Sequence, residues 1–493
     1  MITETTYDTI VVGGGLAGIA TAIRRRKRGD RVLLLEKNNR LGGKMDEKSW
    51  QNYRWDKGPS LFTMPQLVDE LFELCGKRPK DYFTYVKQDE SCRYFFKDGT
   101  KFTLYSNTSK RIEALSKQFT LNEIAGVENY VREASELYSD IGNLFIDRPK
   151  LSWRDMLKSE IVRQYPRILS RQMMNSLNAF NEQQLSNKKL VQIFNRFATY
   201  NGSDPYQTSG LYSMVSHLEL NQGTYFPKGG MRTIVDSLEK LALEEGVEIR
   251  FDETNISAVA HHDLYKVTTN NGEVFARRLV SAIDHVNFYK YVLGDQKQSQ
   301  KLAVRERSTS GLIFYWAMNK RFDKIGLHNI FFSSDYVQEF KDLFAQKIIP
   351  TDPTIYIHNS SFLQKKDAPE DGQNWFVMIN TPAGVDITSV GLEEIKDKIL
   401  TRLEEHLSVN VAEHIIHEDH WSKTQLEEIT GAYKGALYGE AFNNKLASLK
   451  RHGNECKKYK NIYFSGGTVH PGGGIPLVLK SAKIVDELIE KNG

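Results

Sequence analysis

The chain has 493 residues, of which 26% are charged and 40% hydrophobic, and its formal net charge is +4. A chain of this length exceeds one ordinary hydrophobic core, so we expect two or three structural units. The composition excludes a disordered protein, and the small net charge disfavours a nucleic-acid-binding protein, which usually has a stronger basic bias.

The cysteines and the apolar runs indicate the compartment. Cys75, Cys92 and Cys456 stand far apart and form no Cys-x-x-Cys pair, which favours a reduced, cytoplasmic setting. The first apolar run, residues 10–23, is interrupted by glycines, so we expect neither a signal peptide nor a membrane span, which needs roughly 20 apolar residues. A protein of this kind would reach a lipid substrate from one side of the bilayer.

The first predicted elements form a nucleotide-binding unit. Residues 8–12 are apolar and β-branched, which predicts a buried parallel strand. In the Gly-x-Gly-x-x-Gly pattern that follows, Gly13 permits a tight turn, Gly15 lets a pyrophosphate approach the backbone, and Gly18 lets a helix pack closely on the strand. That helix is predicted to run to about Arg28, and its N-terminus would attract phosphates.

An acid then stands where a ribose would lie. Residues 31–35 predict the second strand, and Glu36 follows Gly18 by 18 positions. A carboxylate there accepts hydrogen bonds from ribose hydroxyls and repels a 2′-phosphate, which disfavours NADP. A glycine-rich turn alone is weak evidence, but the succession of strand, glycines, helix, strand and acid predicts a dinucleotide site. The segment Arg40-Leu41-Gly42-Gly43-Lys44 suits a second approach to the phosphates and ribose.

The remaining pattern alternates between helices and strands. It predicts a helix over 67–74, a hairpin over 91–104 that turns at Asp98-Gly99, mostly helical structure over 110–198, and a helix over 233–245. It also predicts strands over 247–251, 256–260, 265–269 and 279–284. Residues 301–455 mix strands and helices, and we expect them to build a substrate-facing sheet.

The C-terminal region repeats the chemistry of the first motif. Residues 461–464 predict a strand, and five of the nine residues 466–474 are glycines, before a helix that is predicted from about Leu477. Bare backbone at a helix N-terminus suits an electron-rich or anionic part of a dinucleotide, such as its pyrophosphate.

These motifs resemble those of the FAD flavoproteins that include amine oxidases and carotenoid desaturases. Glu36, the Arg40–Lys44 segment with lysine in place of the usual second arginine, and Asp56-Lys57-Gly58-Pro59 match that family's N-terminal pattern. His470-Pro471-Gly472-Gly473-Gly474 matches the carotenoid and phytoene desaturase signature, from which Val469 and Gly473 depart slightly. Further matching segments in the same order are Tyr200–Pro205, Phe226–Met231, Ala368-Pro369 and Gly431–Tyr433. Residues 58–65 and 470–474 are more similar to hydroxycarotenoid 3,4-desaturases than to phytoene desaturases.

The resemblance implies an α/β fold. We expect a discontinuous Rossmann-like FAD-binding domain of the glutathione reductase and amine oxidase type, a mixed-sheet substrate domain and a helical region. The implied divisions are 1–90, 222–300 and 456–493 for the FAD-binding domain, 91–221 for a helical, membrane-facing substrate region, and 301–455 for the substrate domain.

The resemblance also implies FAD as the cofactor and a carotenoid as the substrate. The expected cofactor contacts are Gly13, Gly15, Leu16, Ala17, Gly18, Glu36, Lys37, Gly43, Lys44, Pro59, Ser60, Leu61, Ile256, Gly467, Gly474, Ile475 and Pro476.

Desaturation of a carbon–carbon bond removes a hydride and a proton. No amino-acid side chain accepts a hydride, so the flavin must accept it. The expected reaction is formation of the 3,4 double bond of a 1-hydroxylated acyclic carotenoid end. No pattern identifies the base that would accept the proton. The candidates are His470, Asp147 and Arg148. Alternatively, His470 stabilises a turn, and Asp147 and Arg148 form a solvated pair at the surface.

Other functions remain open at this stage. A phytoene desaturase, a carotenoid isomerase or saturase, and an amine oxidase would use the same scaffold, and a non-enzymatic isoprenoid-binding protein would share the fold without flavin. The series His414-x-x-His417-x-x-His420 has a spacing seen in zinc sites, but no partner acid accompanies it, so we expect no metal.

One amphipathic stretch is a candidate for contact with a membrane surface. Residues 150–174 carry the basic residues Lys150, Arg154, Lys158, Arg163, Arg167 and Arg171 among apolar ones, with Pro166 expected to kink or divide the helix. A solvated helix packed on the core is the alternative. The oligomeric state is not indicated by any pattern in the chain.

Overall fold

The computed structural model describes residues 6–150, 155–168, 174–445 and 450–492. The strands are β1 (Thr6–Val12), β2 (Val32–Leu35), β3 (Glu47–Trp50), β4 (Tyr53–Asp56), β5 (Tyr85–Gln88), β6 (Glu90–Phe95), β7 (Lys101–Tyr105), β8 (Thr224–Pro227), β9 (Glu248–Arg250), β10 (Ser257–His261), β11 (Leu264–Thr269), β12 (Gly272–Ser281), β13 (Ser310–Met318), β14 (His328–Phe331), β15 (Ile355–His358), β16 (Gln373–Thr381), β17 (Ile415–Trp421) and β18 (Ile462–Phe464).

The longer helices follow in the same order along the chain. They are α1 (Leu16–Lys27), α2 (Gln66–Leu74), α3 (Thr108–Ser116), α4 (Leu121–Leu137), α5 (Leu177–Gln184), α6 (Lys188–Asn195), α7 (Arg232–Glu244), α8 (Gln296–Ala303), α9 (Ser389–Leu407), α10 (Lys423–Thr430) and α11 (Ile475–Asn492). Short helical segments include Asn143–Ile146, Asp155–Leu157, Ser159–Val162, Tyr165–Ile168, Arg196–Asn201, Val215–His217, His285–Asn287 and Tyr336–Phe340.

The first sheet contains the N-terminal nucleotide-binding unit. In the described residues its parallel part runs β9-β2-β1-β12-β18, and β10 and β11 extend it as an antiparallel hairpin on the first half of β12. Alternate residues of β1 and β2 enter two cores, one of which includes α1, α7 and α11. Two-sided burial explains why these strands are apolar without alternation, as predicted.

Most predicted elements of this sheet are confirmed, with one correction. The strand expected over 279–284 is β12, which begins earlier, at Gly272, and ends at Ser281. The prediction that Asp284 ends that strand is wrong. Its carboxylate instead accepts a hydrogen bond from the backbone N–H of Val286 at 3.0 Å and caps the short helix His285–Asn287. Aspartate is a favoured N-cap because its oxygen satisfies an N–H that lacks a partner in the helix.

The second sheet is mixed and lies under one long helix. Its order in the described residues is β17-β13-β16-β15-β14-β6-β7, so the hairpin predicted over 91–104 joins the strands of residues 301–455. One face packs against α9 in an apolar core. The opposite face, here called the inner face, carries Tyr94, Ile330, Tyr356, Met378 and Ile313, which stand side by side across five neighbouring strands.

The helices α3 to α6 form a third layer beside β6 and β7. Their buried side chains share a core with Tyr94, Ile330 and Phe332 of the second sheet. Helix α4 begins with a capping box, in which the Glu123 carboxylate accepts from the backbone N–H of Thr120 at 2.8 Å. The predominantly helical pattern predicted for residues 110–198 is therefore confirmed for the described part of that range.

Candidate functional site

The first glycine loop is tightly packed on three sides and open on the fourth. A Cβ atom at Gly13, whose φ is +106°, would lie 2.6 Å from Cγ2 of Ile283, and one at Gly18 would lie 2.0 Å from the carbonyl oxygen of Gly13. A Cβ atom at Gly15 would meet nothing within 4 Å. Gly15 stands directly before Leu16, where α1 begins. The open space therefore faces the N–H groups of Gly15, Leu16 and Ala17 at a helix N-terminus.

Glu36 is buried at the end of β2 and attached to that loop. Its Oε2 accepts a hydrogen bond from the backbone N–H of Gly14 at 2.7 Å, and its Oε1 accepts from the Asn38 amide at 2.7 Å. Each carboxylate oxygen can accept more than one hydrogen bond, so the group keeps acceptor capacity for a hydroxyl. The predicted residue Ile256 is half-buried and precedes β10; its neighbour Glu253 donates its N–H to the carbonyl oxygen of Glu36 at 2.9 Å.

The second glycine pair abuts the first loop. Gly42 donates its N–H to the carbonyl oxygen of Gly14 at 2.9 Å, and a Cβ atom at Gly43 would lie 3.3 Å from Cα of Gly15. The Gly58 turn is equally close, because a Cβ atom there would lie 1.8 Å from the carbonyl oxygen of Lys44. The structure thus brings three predicted segments together around Gly15.

The two predicted lysines end on backbone carbonyl groups. Nζ of Lys44 donates to the carbonyl oxygens of Ala436 at 3.0 Å and Leu437 at 2.6 Å, and burial lowers the pKa of this lysine to about 8. Nζ of Lys37 donates to the carbonyl oxygen of Glu428. In this arrangement both ammonium groups connect the first 60 residues to the segment around α10.

The C-terminal glycines lie over the start of α1. A Cβ atom at Gly466 would lie 3.5 Å from Cβ of Ala17, and the hydroxyls of Thr21 and Ser465 are joined at 3.2 Å. A Cβ atom at Gly474 would meet nothing within 4 Å, and α11 begins at the next residue, Ile475. Gly467 in this loop and Pro476 in the first turn of α11 are both half-buried. Two helix N-termini and two open backbone positions therefore converge.

Arg451 holds this loop and was not identified from the sequence. Its buried guanidinium donates to the carbonyl oxygens of Val469 at 2.9 Å, Glu440 at 2.8 Å and Tyr438 at 2.8 Å, and also to that of Gly467. Burial lowers the pKa of Arg451 to about 10. No local motif marks this residue, because its partners are carbonyl groups, which every residue type supplies.

The three candidate catalytic residues lie together beside the C-terminal loop. Nε2 of His470 lies 2.9 Å from the carbonyl oxygen of Arg148, and the Asp147 carboxylate pairs with Lys480 in α11. His470 is buried, and burial lowers its pKa to about 4. The same segment is attached at Lys150, whose Nζ donates to the carbonyl oxygen of Arg451 at 2.7 Å. Lys150 is half-buried and forms this hydrogen bond within the protein, and its contact with a membrane surface stays a prediction.

The loop over residues 58–61 lies against the inner face of the second sheet. Ser60 Oγ and the Tyr356 hydroxyl are 2.7 Å apart, and the Tyr356 hydroxyl is 2.8 Å from Nδ1 of His328. Four residues here remain partly accessible to solvent, although their neighbours on these strands are buried: Ser60, Leu61, Tyr356 and Met378. Such surface in the interior of the fold indicates open space between the loop and the sheet.

The three histidines of the His414-x-x-His417-x-x-His420 series, all of them described in the structure, do not form a metal site. The imidazole of His417 stacks on Trp50 with ring centroids 4.3 Å apart, and Nδ1 of His414 is 3.1 Å from Oδ1 of Asn319. Within the described part of the chain, no group of three or more potential ligands could hold a metal ion. No described helix has the length and the apolar character that crossing a membrane requires.

The predicted membrane-contact segment is described in part. Arg154 and Arg171 lie outside the described residues, and so does the side chain of Arg167. The rest forms short helices rather than one long one, with Pro166 inside Tyr165–Ile168. Three apolar side chains in this stretch are exposed: Leu157 at 69%, Val162 at 43% and Met174 at 59%.

Comparison with known proteins identifies the family. Residues 16–485 match the model of the flavin containing amine oxidoreductases. The chain belongs to this family. It is 40% identical over 488 residues to a 1-hydroxycarotenoid 3,4-desaturase of a Flavobacterium species, which covers 97% of this chain and 98% of that protein. It is 30% identical over 492 residues to a 4,4'-diaponeurosporene oxygenase of Staphylococcus haemolyticus, which covers 97% of this chain and 96% of that protein.

A solved structure of an amine oxidase shares the fold at low sequence identity. The cyclohexylamine oxidase of Brevibacterium oxydans superposes with a TM-score of 0.61 at 13% identity, covering 98% of this chain and 99% of that one. The α/β fold with a Rossmann-type FAD-binding domain and a mixed-sheet domain is thus confirmed. The protein is an oxidoreductase of the flavin amine oxidoreductase family, and its cofactor is FAD.

The residues present fit this cofactor. Side-chain-free positions at Gly15 and Gly474 leave room beside two helix N-termini, where a diphosphate is favoured. Arg307 is a second residue that the sequence did not reveal: it pairs with Asp284, and its buried Nε and Nη1 have no hydrogen-bond partner among the described residues. A buried guanidinium with unused donors suits an anionic group of a ligand.

Proposed function

We propose that the protein forms the 3,4 double bond of a 1-hydroxylated acyclic carotenoid end. The observation that carries the proposal is the open space between the loop over residues 58–61 and the inner face, where Tyr356 and Met378 supply an aromatic and apolar wall. A long apolar polyene suits such a wall. Full-length similarity to a desaturase that is named for this reaction supports the choice of bond.

We further propose which residues hold the cofactor. The N–H groups of Gly15, Leu16 and Ala17 face the space where a diphosphate would lie, and Glu36 keeps acceptor capacity for ribose hydroxyls. The remaining expected contacts are Gly13, Gly18, Lys37, Gly43, Lys44, Pro59, Ser60, Leu61, Ile256, Gly467, Gly474, Ile475 and Pro476. For Lys37 and Lys44 the proposal concerns the backbone, because their ammonium groups bind carbonyls elsewhere.

When bound, FAD supplies the hydride acceptor that a desaturation requires. The protein's own residues align the polyene along the inner face and exclude water from the space beside residues 58–61. The neighbouring carbon also loses a proton, and the candidate bases His470 and Asp147 already have partners in the protein. His470 is bonded through Nε2 to a carbonyl group, and Asp147 is paired with Lys480.

Product mass distinguishes the possible reactions on this scaffold. The purified yellow protein is incubated in liposomes with a 1-hydroxylated acyclic carotenoid or with phytoene, and products are resolved by chromatography and mass spectrometry. We expect a product two hydrogens lighter from the hydroxylated substrate. Conversion of phytoene alone would contradict the proposed substrate. Gain of oxygen, gain of two hydrogens or an unchanged mass would indicate an oxygenase, a saturase or an isomerase.

We also propose a cytoplasmic protein that binds one membrane surface through residues 155–168 and Met174. Carotenoids reside in bilayers, and Leu157, Val162 and Met174 expose apolar side chains near the basic residue Arg163. Apolar groups at an interface and cations near anionic lipids both favour such binding, and salt weakens the second contribution.

A further inference from the structure

A chain of three polar side chains connects the flavin-side loop to the inner face. Ser60 Oγ lies 2.7 Å from the Tyr356 hydroxyl, which lies 2.8 Å from Nδ1 of His328. The three residues come from distant parts of the chain: the loop after β4, the strand β15 and the strand β14. Both distances are those of well-formed hydrogen bonds.

The surroundings of this chain are mainly apolar. Tyr356 stands between Ile330 and Met378 in the row of side chains across the sheet. Burial lowers the pKa of His328 to about 4 and raises that of Tyr356, so both side chains are neutral at physiological pH. The nearby charged pair, Arg196 and Glu219, is buried and mutually bonded at 3.1 Å.

The chain ends in Ser60 with unused hydrogen-bonding capacity. If Nδ1 of His328 accepts, Tyr356 donates to it and Ser60 donates to Tyr356, which leaves acceptor lone pairs on Ser60 Oγ. If Nδ1 carries the proton, the direction reverses and the Ser60 hydroxyl has its proton to donate. A hydroxyl group on a ligand can take either role, so it fits both tautomers.

Ser60 lies near the proposed position of the cofactor. Ser60 lies in the loop that we propose contacts the flavin, so its ligand lies beside the reacting carbons. In a 1-hydroxylated end, the carbon that carries the hydroxyl is two bonds from C3. A group that binds this hydroxyl must therefore stand next to the point of hydride removal, and Ser60 and Tyr356 have this position in the site that we propose.

From this geometry we infer that Ser60 and Tyr356 bind the 1-hydroxyl group of the substrate and thereby determine substrate specificity, with His328 positioning the Tyr356 phenol. The inference rests on the proposed function and deepens it. A substrate that lacks the hydroxyl leaves the remaining hydrogen-bonding capacity of Ser60 unused in a mainly apolar space, which costs binding energy.

The test compares two substrates that differ in one group. kcat/KM is measured for a 1-hydroxylated acyclic carotenoid and for the same carotenoid without the hydroxyl, in the FAD-loaded wild type, Tyr356→Phe and Ser60→Ala. We expect the wild type to prefer the hydroxylated substrate. In each variant the ratio of the two kcat/KM values should fall about 10- to 100-fold, because only the hydroxylated substrate loses a hydrogen bond. Each rate is divided by the FAD content of the variant, read from absorbance, so that a change in cofactor binding does not alter the ratio.

Tyr130→Phe is the matched control, because the buried Tyr130 hydroxyl donates to Asn181 at 2.6 Å in the helical layer, away from this loop. It should keep the wild-type ratio of the two kcat/KM values. If Tyr356→Phe keeps that ratio, or loses both activities equally, the inference is wrong while the proposed function stands. A wild type without preference for the hydroxylated substrate overturns the proposed function and the inference with it.

Discussion

The imidazole of His470 and the carbonyl group of Arg148 are joined by a hydrogen bond of 2.9 Å. Because a carbonyl oxygen only accepts, Nε2 of His470 carries the proton, and the ring is neutral above its lowered pKa of about 4. Together with Lys150 and the pair of Asp147 with Lys480, this bond attaches residues 147–150 to the C-terminal glycine loop.

We therefore predict that His470 positions this segment and is not the base of the reaction. His470→Gln can still donate to the Arg148 carbonyl, so it should retain FAD and a rate of flavin reduction within about threefold of the wild type. His470→Ala should lower the free energy of unfolding by about 1–3 kcal/mol, since it removes a buried donor. Removal of a general base costs about 100-fold or more. A loss of that size in His470→Gln, without a change in Tm, would contradict the positioning role.

Gly15→Val tests the proposed phosphate position without disturbing the fold. Gly15 has a φ of −70°, which valine tolerates, and its added Cβ would meet no protein atom within 4 Å. We expect a folded, colourless protein whose far-ultraviolet circular dichroism equals that of the wild type. Gly453→Val is the control, because a Cβ there also meets nothing within 4 Å, but the site lies outside the proposed contacts. A Gly15→Val protein as yellow as the wild type would show that the phosphates lie elsewhere.

Stability should fall as the pH falls from 6.5 towards 4. Burial lowers the pKa of both His328 and His470 to about 4, whereas an unfolded histidine titrates near 6.5. Between these values the unfolded chain binds more protons than the native one, so acid favours unfolding. Each residue should contribute a loss of about 2 kcal/mol by pH 5.

The measurement is the midpoint of urea unfolding at pH 7 and at pH 5. His328→Asn removes one titrating group, so its midpoint should change less with pH than that of the wild type. His261→Asn, at an exposed histidine, is the control and should follow the wild type. An equal pH dependence in His328→Asn and the wild type would be inconsistent with a neutral, buried His328.

Membrane binding should depend on the exposed apolar residues of the proposed contact segment. Leu157→Asp combined with Val162→Asp should reduce co-sedimentation with anionic liposomes by about tenfold or more, because burying such side chains contributes about 1.5–3 kcal/mol each. Leu243→Asp combined with Val304→Asp is the control, since these residues are also exposed, at 54% and 85%, in other parts of the fold. If both double variants bind liposomes as the wild type does, this segment is not the contact surface.

The sequence predicted those parts of the site in which neighbouring residues impose the geometry. The glycines of the first loop, the start of α1 and the acid after β2 follow one another along the chain, so local rules for turns and helix ends are sufficient. The same rules failed at Asp284, where strand-like residues run directly into a helix cap and the pattern marks no boundary.

Contacts between distant residues could not be predicted in this way. Tyr356 and Ser60 are 296 positions apart, and Lys150 is 301 positions from the carbonyl group that it binds. Their pairing depends on how the second sheet and the C-terminal loop pack against the N-terminal unit. A single tyrosine on a strand, or a single lysine in an amphipathic stretch, carries no signal for its partner.

The position of β18 has a consequence for how the polypeptide is made. β18 pairs with β12 in the sheet that begins with β1, and α11 follows it directly. During synthesis the other strands of this sheet emerge first, and β12 then has an unpaired stretch of backbone until β18 is made. The N-terminus of α11, at Ile475, is synthesised after β18. A growing chain therefore lacks part of the proposed flavin site until α11 is made, so the yellow colour of the holoenzyme should appear only after synthesis of this last helix.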